Sequence, residues 1–301
     1  MKILILLFCA LSISLYGQQE EILEYPAGKI AYQTFGDGFP VLIINGGPGM
    51  NSKGFEYLAK KLADNNRTII YDQRGTGASV LNEHNLSNFS IDLMLEDIET
   101  LRKHLGYENW IVFGQSFGGM LAYAYAEKYP ERVKAMVQSH SGGMALSNVS
   151  SFSVMNRLSI RERDSLLYFS SMLELDPGNG DLERKRAFYI AKAYVIGSEY
   201  ENTIADRLMQ VNMNLNSVLW ADMRNNNFDK TAAMKEFQNK VLILHGLDDV
   251  VPVEVAESSH IILPDSRLVK MENCGHYGWL DRPDIYFPEV KKFLEENSPE
   301  L

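Results

Sequence analysis

Three residues of this chain, in the order Ser116, Asp249, His276, have the types and settings needed for nucleophilic acyl transfer. Ser116 lies in Gly114-Gln115-Ser116-Phe117-Gly118. The apolar run Trp110-Ile111-Val112-Phe113 precedes it, and Met120-Leu121-Ala122-Tyr123-Ala124-Tyr125-Ala126 follows. This reads as strand, sharp turn, helix, with the hydroxyl projecting from the strand end. Gly114 and Gly118 flank the serine where a side chain would clash as strand and helix pack closely. A serine hydroxyl is a weak nucleophile and needs a base, and the base needs an orienting acid. His276, in Asn273-Cys274-Gly275-His276-Tyr277-Gly278-Trp279, follows the strand Leu268–Met271 and can reach back to Ser116. The acid should follow the strand Val241–Leu244, in His245-Gly246-Leu247-Asp248-Asp249-Val250. Asp249, three residues after Gly246, is preferred to Asp248, which could be a turn aspartate.

A tetrahedral intermediate also needs fixed N–H donors for its negative oxygen. One should be the backbone N–H of Phe117. The other should come from Asn45-Gly46-Gly47-Pro48-Gly49, after an early strand. Gly47 is favoured, with Gly46 as the alternative; Pro48 has no N–H to give. Gly46 and Trp220 are also candidate substrate contacts, although a core packing role is the preferred reading of Trp220. His245 reads as packed at its strand end, and His140 as at most a pocket wall.

The elements that must position these residues alternate along the chain. Leu23–Phe35 reads as a hairpin turned near Gly28-Lys29. Val41–Ile44 is an apolar run of the kind buried on both faces, and Arg67–Tyr71 and Val133–Gln138 read as further strands. Helical spacing marks Phe55–Ala63, Ile91–Leu105 with Ser90 as N-cap, the stretch after the serine up to Pro130, and a closing helix Asp281–Glu296. Repeated strand–helix units predict an α/β fold, a mostly parallel sheet with helices on both faces. Between Met144 and Gln238 the alternation stops. Arg157–Leu175 and Glu183–Ile196 have helical spacing there, around the turn Asp176–Gly180. This stretch reads as a helical cap, 144–238, inserted into a core formed by 18–143 and 239–301. A second independent domain is the alternative, and the return of the chain to sheet-like strands disfavours it.

Composition limits the partners. Lys and Arg total 29 against 39 Asp and Glu, a net charge of −10, with no basic run. Neither nucleic acid nor an anionic membrane surface fits that charge. Met1-Lys2 followed by the apolar stretch Ile3–Leu15 and the polar Tyr16-Gly17-Gln18 resembles a signal peptide over 1–17. That run is short of the roughly 20 apolar residues a membrane span needs, although an uncleaved anchor is the alternative. Export, periplasmic or secreted, is expected, with no stable membrane association after cleavage. Cleavage would remove Cys9 and leave only Cys274, so no intramolecular disulfide is expected.

These motifs together resemble the prolyl aminopeptidase (proline iminopeptidase) group of the α/β-hydrolases. Asn45–Gly49 is similar to that group's His-Gly-Gly-Pro-Gly loop. Asp72-Gln73-Arg74-Gly75-Thr76-Gly77-Ala78-Ser79 is similar to its Asp-Gln-Arg-Gly-x-Gly-x-Ser loop. The serine turn, the Gly-x-x-Asp turn and the Gly-His loop fit as well, so the resemblance runs from about residue 24 to 297. It implies the α/β-hydrolase fold, a helical cap, no cofactor or metal, and release of an N-terminal residue, often proline, from peptides. It departs at Asn45, which stands for histidine, and at Gln115-Ser116-Phe117, where Gly-Ser-Trp is common. In the family, cap carboxylates hold the substrate amine. Glu174, Glu199, Glu201 and Asp222 are the candidates here.

The expected activity is therefore that of a serine hydrolase, an exopeptidase on small peptides. A carboxylesterase on small acyl esters is the alternative with the same machinery. A catalytically idle ligand-binding protein is the alternative of another class. Expressed with its own leader, the chain should yield a mature N-terminus near Gln18 by N-terminal sequencing. A product still beginning at Met1 would contradict the cleavage expectation.

Overall fold

The computed structural model describes residues 20–83 and 85–298. The leader expected over 1–17 lies outside the described residues. Eight strands form one sheet: β1 Glu21–Tyr25, β2 Gly28–Phe35, β3 Phe39–Ile44, β4 Asn66–Tyr71, β5 Trp110–Gln115, β6 Val133–Ser139, β7 Val241–Gly246 and β8 Ser266–Met271. Their spatial order is β1-β2-β4-β3-β5-β6-β7-β8. β2 pairs antiparallel with β1 and β4, and every later pairing is parallel. The first hairpin turns at Pro26-Ala27 rather than at Gly28-Lys29, which instead open β2.

Strand alternation divides the core between the two faces of the sheet. Leu42, Ile44, Trp110 and Val112 face one apolar layer, together with Ile98, Leu101, Leu121 and Tyr125 of α2 (Ile91–His104) and α3 (Phe117–Lys128). Val41, Ile43, Ile111 and Phe113 face the other. There they meet Leu58 and Leu62 of α1 (Glu56–Leu62) and Tyr286, Val290 and Phe293 near the C-terminus. Because both faces are covered, β3 and β5 are buried throughout and apolar over Val41–Ile44 and Trp110–Phe113, as the continuous runs anticipate. Ser90 caps α2, accepting from Leu93 N–H at 3.2 Å.

From β6 to β7 the chain is helical: α4 Ile160–Leu175, α5 Gly180–Tyr194, α6 Glu201–Leu208, α7 Met213–Asn225 and α8 Thr231–Lys235. The side chains of Ser159, Asn179 and Asn212 accept from the opening N–H groups of α4, α5 and α7, which would otherwise lack partners. α5 starts three residues before the expected Glu183, since Asn179 supplies the cap. After β7 come α9 (Val253–Ile262), α10 (Gly278–Asp281) and α11 (Pro283–Asn297). The expected closing helix Asp281–Glu296 is α11, which starts two residues later and ends one later, and the short α10 precedes it. Pro283 lacks an N–H and suits the first turn of a new helix rather than the continuation of the old one.

The Asp72–Ser79 loop is fixed from inside. Asp72 accepts from the backbone N–H of Ser52, the hydroxyl of Ser52 and the N–H of Ala78, each at 2.8 Å. The Arg74 guanidinium forms a buried two-point pair with Asp97 on α2, at 2.8 and 2.5 Å. Asp97 also accepts from the Tyr25 hydroxyl at 2.8 Å. Together these tie the antiparallel edge, this loop and α2 to one another.

Candidate active site

Ser116 closes β5 and opens α3 with φ 56° and ψ −121°, a left-handed conformation that costs a side-chain-bearing residue of order 1–3 kcal/mol. Three backbone bonds hold it there. Its N–H donates to Ser139 O at 3.1 Å. Its own carbonyl accepts from Gly119 N–H at 3.0 Å and from Gly142 N–H at 3.1 Å. The flanking glycines are required by space. A Cβ on Gly118 would lie 2.1 Å from Ile44 O, and one on Gly114 would lie 2.5 Å from Gly118 O. Phe117 and Gly118 occupy the first turn of α3, where backbone N–H groups have no intrahelical acceptor.

Asn45–Gly49 approaches the same point, for a Cβ on Gly46 would lie 3.0 Å from Ser116 Cβ. Its two leading peptide planes are pinned by side chains. The Asn45–Gly46 plane is held at both ends: Gln73 Nε2 donates to Asn45 O at 2.8 Å, and Gly46 N–H donates to Gln115 Oε1 at 3.1 Å. In the Gly46–Gly47 plane, Gly46 O accepts from Asn45 Nδ2 at 2.8 Å and from Arg207 Nη2 at 3.4 Å. Since a trans peptide carries C=O and N–H on opposite sides, fixing Gly46 O also fixes where Gly47 N–H points. Gly47 N–H has no acceptor among the described residues, whereas Gly46 N–H is taken. Of the two alternatives, the geometry leaves Gly47 as the available donor.

His276 Nδ1 bonds Asp249 Oδ1 at 2.7 Å. Asp249 Oδ1 also accepts from Val251 N–H at 3.0 Å, and His245 Nε2 lies 3.8 Å from Asp249 Oδ2. Burial pushes the Asp249 carboxyl up, but the His276 charge and hydrogen bond, helped by His245 and His140, outweigh it. The pKa falls to about 2. An ionised carboxylate only accepts, so Nδ1 of His276 carries the proton and Nε2 is left as the free base. The His276 backbone is anchored by donation from its N–H to Tyr194 O at 2.7 Å, and the Tyr194 ring meets the imidazole edge-on at 5.0 Å. Asp248 does not join this arrangement: it pairs with Arg157 at 2.9 Å. Ser116 Oγ and His276 share no hydrogen bond among the described residues, but the two loops touch through Gln115 Nε2, which donates to His276 O at 3.4 Å. Such contacts are often long without a ligand and tighten on binding.

The two other histidines beside the site have structural partners. His245 Nε2 donates to Val251 O at 2.8 Å. His140 is fully buried, with φ 49°, and does not line an open pocket. Burial, with opposing and reinforcing charges nearby, brings its pKa down to about 3, so it is neutral at pH 7. Cys274 is a buried free thiol beside His140, and burial pushes its pKa up. Trp220, on α7, is half-buried and meets the Phe117 ring edge-on at 5.9 Å, so it stands beside the serine turn while packing against the core.

None of the four expected amine-binding carboxylates is free and buried near Ser116. Glu174 and Glu199 are exposed. Glu201 pairs with Lys192 at 2.8 Å, and Lys192 also meets Glu162 at 3.3 Å. Asp222 accepts from Ile91 N–H at 2.9 Å and Asn226 Nδ2 at 2.8 Å. Sequence reasoning also missed Gln115 and Arg207 as site-building residues. No local pattern marks either one, because each acts on a segment distant in the chain.

A model of the α/β hydrolase fold family matches residues 40–283. The chain belongs to the α/β hydrolase fold family. Among its relatives is a proline iminopeptidase of Lactobacillus acidophilus, 24% identical, with 92% of this chain and 100% of that protein covered. Another is a cis-3-alkyl-4-alkyloxetan-2-one decarboxylase of Shewanella oneidensis, 25% identical over 93% of this chain and 89% of the relative. Among solved structures, a thermophilic esterase from Thermogutta terrifontis shares the fold at TM-score 0.71. It is 20% identical, with 93% of this chain and 100% of that one covered. This α/β hydrolase-fold chain therefore resembles the proline iminopeptidase group in sequence, among relatives whose named activities differ.

The pairing preference gives a direct expectation. Asp249→Asn should lower kcat by roughly 10³- to 10⁴-fold by favouring the wrong imidazole tautomer and removing the imidazolium's partner. Asp248→Asn, which only releases Arg157, should change it less than about threefold. Steady-state kinetics on a chromogenic ester or amide ranks the two, and the opposite ranking would move the acid to Asp248.

Proposed function

We propose that this chain is a serine hydrolase working by acyl transfer through Ser116. The observation that carries the reading is the left-handed serine turn set against a buried, hydrogen-bonded His276–Asp249 couple. In this reading His276 Nε2 takes the Ser116 hydroxyl proton as Oγ attacks the substrate carbonyl. The carbonyl π electrons move onto oxygen, and the N–H groups of Phe117 and Gly47 stabilise that charge. Collapse of the intermediate expels the leaving group, which takes the proton from His276, and leaves an acyl-enzyme. Water, deprotonated by His276, then attacks the ester and restores Ser116. Asp249 stays ionised and stabilises the imidazolium in both halves.

For substrate, the reading follows the sequence relatives: short peptides from which the N-terminal residue is released, proline among them. A second reading, a carboxylesterase on small acyl esters, has one specific observation in its favour. The carboxylates expected to receive a substrate ammonium are exposed or already bonded.

Two experiments separate these layers. A fluorophosphonate should label wild type at Ser116 and fail to label Ser116→Ala, with the variant folded and hydrolysis nearly abolished; labelling that survives in the variant would remove Ser116 from the mechanism. For substrate, free Pro- and Ala-amides should be cleaved and their N-acetylated forms rejected by roughly a hundredfold or more in kcat/KM. The expectation holds if the helical stretch supplies a carboxylate for the α-amino group, since stranding that carboxylate without its ammonium costs about 3–5 kcal/mol. Equal rates on free and blocked amides, or turnover confined to esters, would leave the esterase reading.

A further inference from the structure

Gln115 is fully buried, one residue before the serine, and its amide spans two separate loops. Its Oε1 accepts from Gly46 N–H at 3.1 Å, and its Nε2 donates to His276 O at 3.4 Å. Only this orientation of the amide satisfies both contacts, because a backbone N–H must meet the oxygen and a carbonyl must meet the nitrogen. The fit is close: a Cβ on Gly46 would lie 2.4 Å from Oε1. Arg207 also reaches both loops, bonding Gly46 O and the Tyr277 hydroxyl, but among the described residues it is Gln115 that joins Gly46 N–H to His276 O. The serine's own strand thus sets the separation between the loop that carries Gly47 and the loop that carries His276.

We propose that Gln115 is a positioning residue that holds the oxyanion loop and the histidine loop in register. The Asn45–Gly46 plane sits between Gln73 and Gln115, so losing Gln115 frees one end of it. The adjoining Gly46–Gly47 plane, still tethered by Asn45 and Arg207, shifts with it, and the Gly47 N–H moves off the place where charge develops. The same loss frees His276 O, while the Asp249 bond keeps the imidazole in its tautomer. The effect therefore falls on transition-state stabilisation more than on ground-state binding. Misplacement by about 1 Å costs up to roughly a hundredfold in rate. The inference rests on the acyl-transfer reading of Ser116.

The test compares wild type, Gln115→Met and Gln115→Glu. Methionine fills the space without making either bond. It should lower kcat about tenfold to a hundredfold on 4-nitrophenyl acetate, with KM changed less than about threefold. Phenylboronic acid, a tetrahedral mimic, should weaken in parallel, and fluorophosphonate labelling should slow. Glutamate keeps the acceptor for Gly46 N–H and, while protonated, can still donate to His276 O. Once ionised it sets an oxygen charge against that carbonyl, and burial raises the pKa at which this happens. The ratio of Gln115→Glu to wild-type activity should therefore be highest at low pH and fall as pH rises. A labelled, folded Gln115→Met with unchanged kcat and boronate affinity would overturn the proposal. So would a loss in KM alone. If the methionine variant fails to fold, a glutamate-to-wild-type ratio that does not vary with pH would overturn it instead. Absence of labelling at Ser116 in wild type is a separate result, and it would remove the acyl-transfer reading itself.

Discussion

The backbone at Ser116 is the constraint to which the neighbouring parts conform. A side-chain-bearing residue in that conformation is strained, and it persists only because β6 and the loop after it accept and donate on either side. The close approach of α3 to β3 and β5 follows from the same turn. It demands glycine at 114 and 118, where the gaps to backbone oxygen leave no room for a methyl group. It also brings the open first turn of α3 beside the Asn45–Gly49 loop. The parallel order of β3, β5, β6, β7 and β8 then sets the remaining loops along one edge. Residues far apart in the chain meet there because strand ends in a parallel sheet share a side.

Charge at this edge is economical. One carboxylate, Asp249, is surrounded by three imidazoles, yet only His276 bonds it directly through Nδ1. His245 spends its Nε2 proton on a backbone carbonyl, and burial keeps His140 neutral at pH 7. A single buried negative charge thus faces one base, and the other two rings act as packing with oriented dipoles. A second free carboxylate nearby would compete for the proton on His276. The pairing of Asp248 with Arg157 removes that competitor.

Much of this was legible from residue order because the signals are local. Buried strands appear as apolar runs, Ser90 as a cap, and Ser116 as a serine between close-packed glycines. The preference for Asp249 over Asp248 came from its offset after β7, and the structure places its carboxylate on His276. The missed features are nonlocal. Gln115 reads as an arbitrary residue within the serine motif until Gly46 and His276 are folded against it. Arg207 carries no local mark in the sequence. It is buried, over the Phe55 ring at 4.9 Å, with Nη1 bonded to Asn51 O at 2.6 Å and Lys53 O at 2.8 Å. The four acidic candidates illustrate the converse. Their type suggested an ammonium site, but their partners, Lys192 for Glu201 and the start of α2 for Asp222, depend on tertiary packing.

The helical stretch between β6 and β7 is stitched to both reactive loops by backbone groups. Tyr194 O receives His276 N–H, Asn212 N–H reaches Gly49 O at 2.8 Å, and Asn216 Nδ2 reaches Pro48 O at 2.9 Å. Arg207 adds its bonds to the same loop. The stretch is consequently a poor unit for exchange between relatives. A graft that supplied a different pocket but lacked an asparagine at 216 or an arginine at 207 would also alter the loop beneath it. Recombination along this chain would thus favour junctions that keep these side chains with the loops they hold, and divergence in substrate would proceed more readily by point changes on the exposed faces of α4 and α5 than by wholesale replacement.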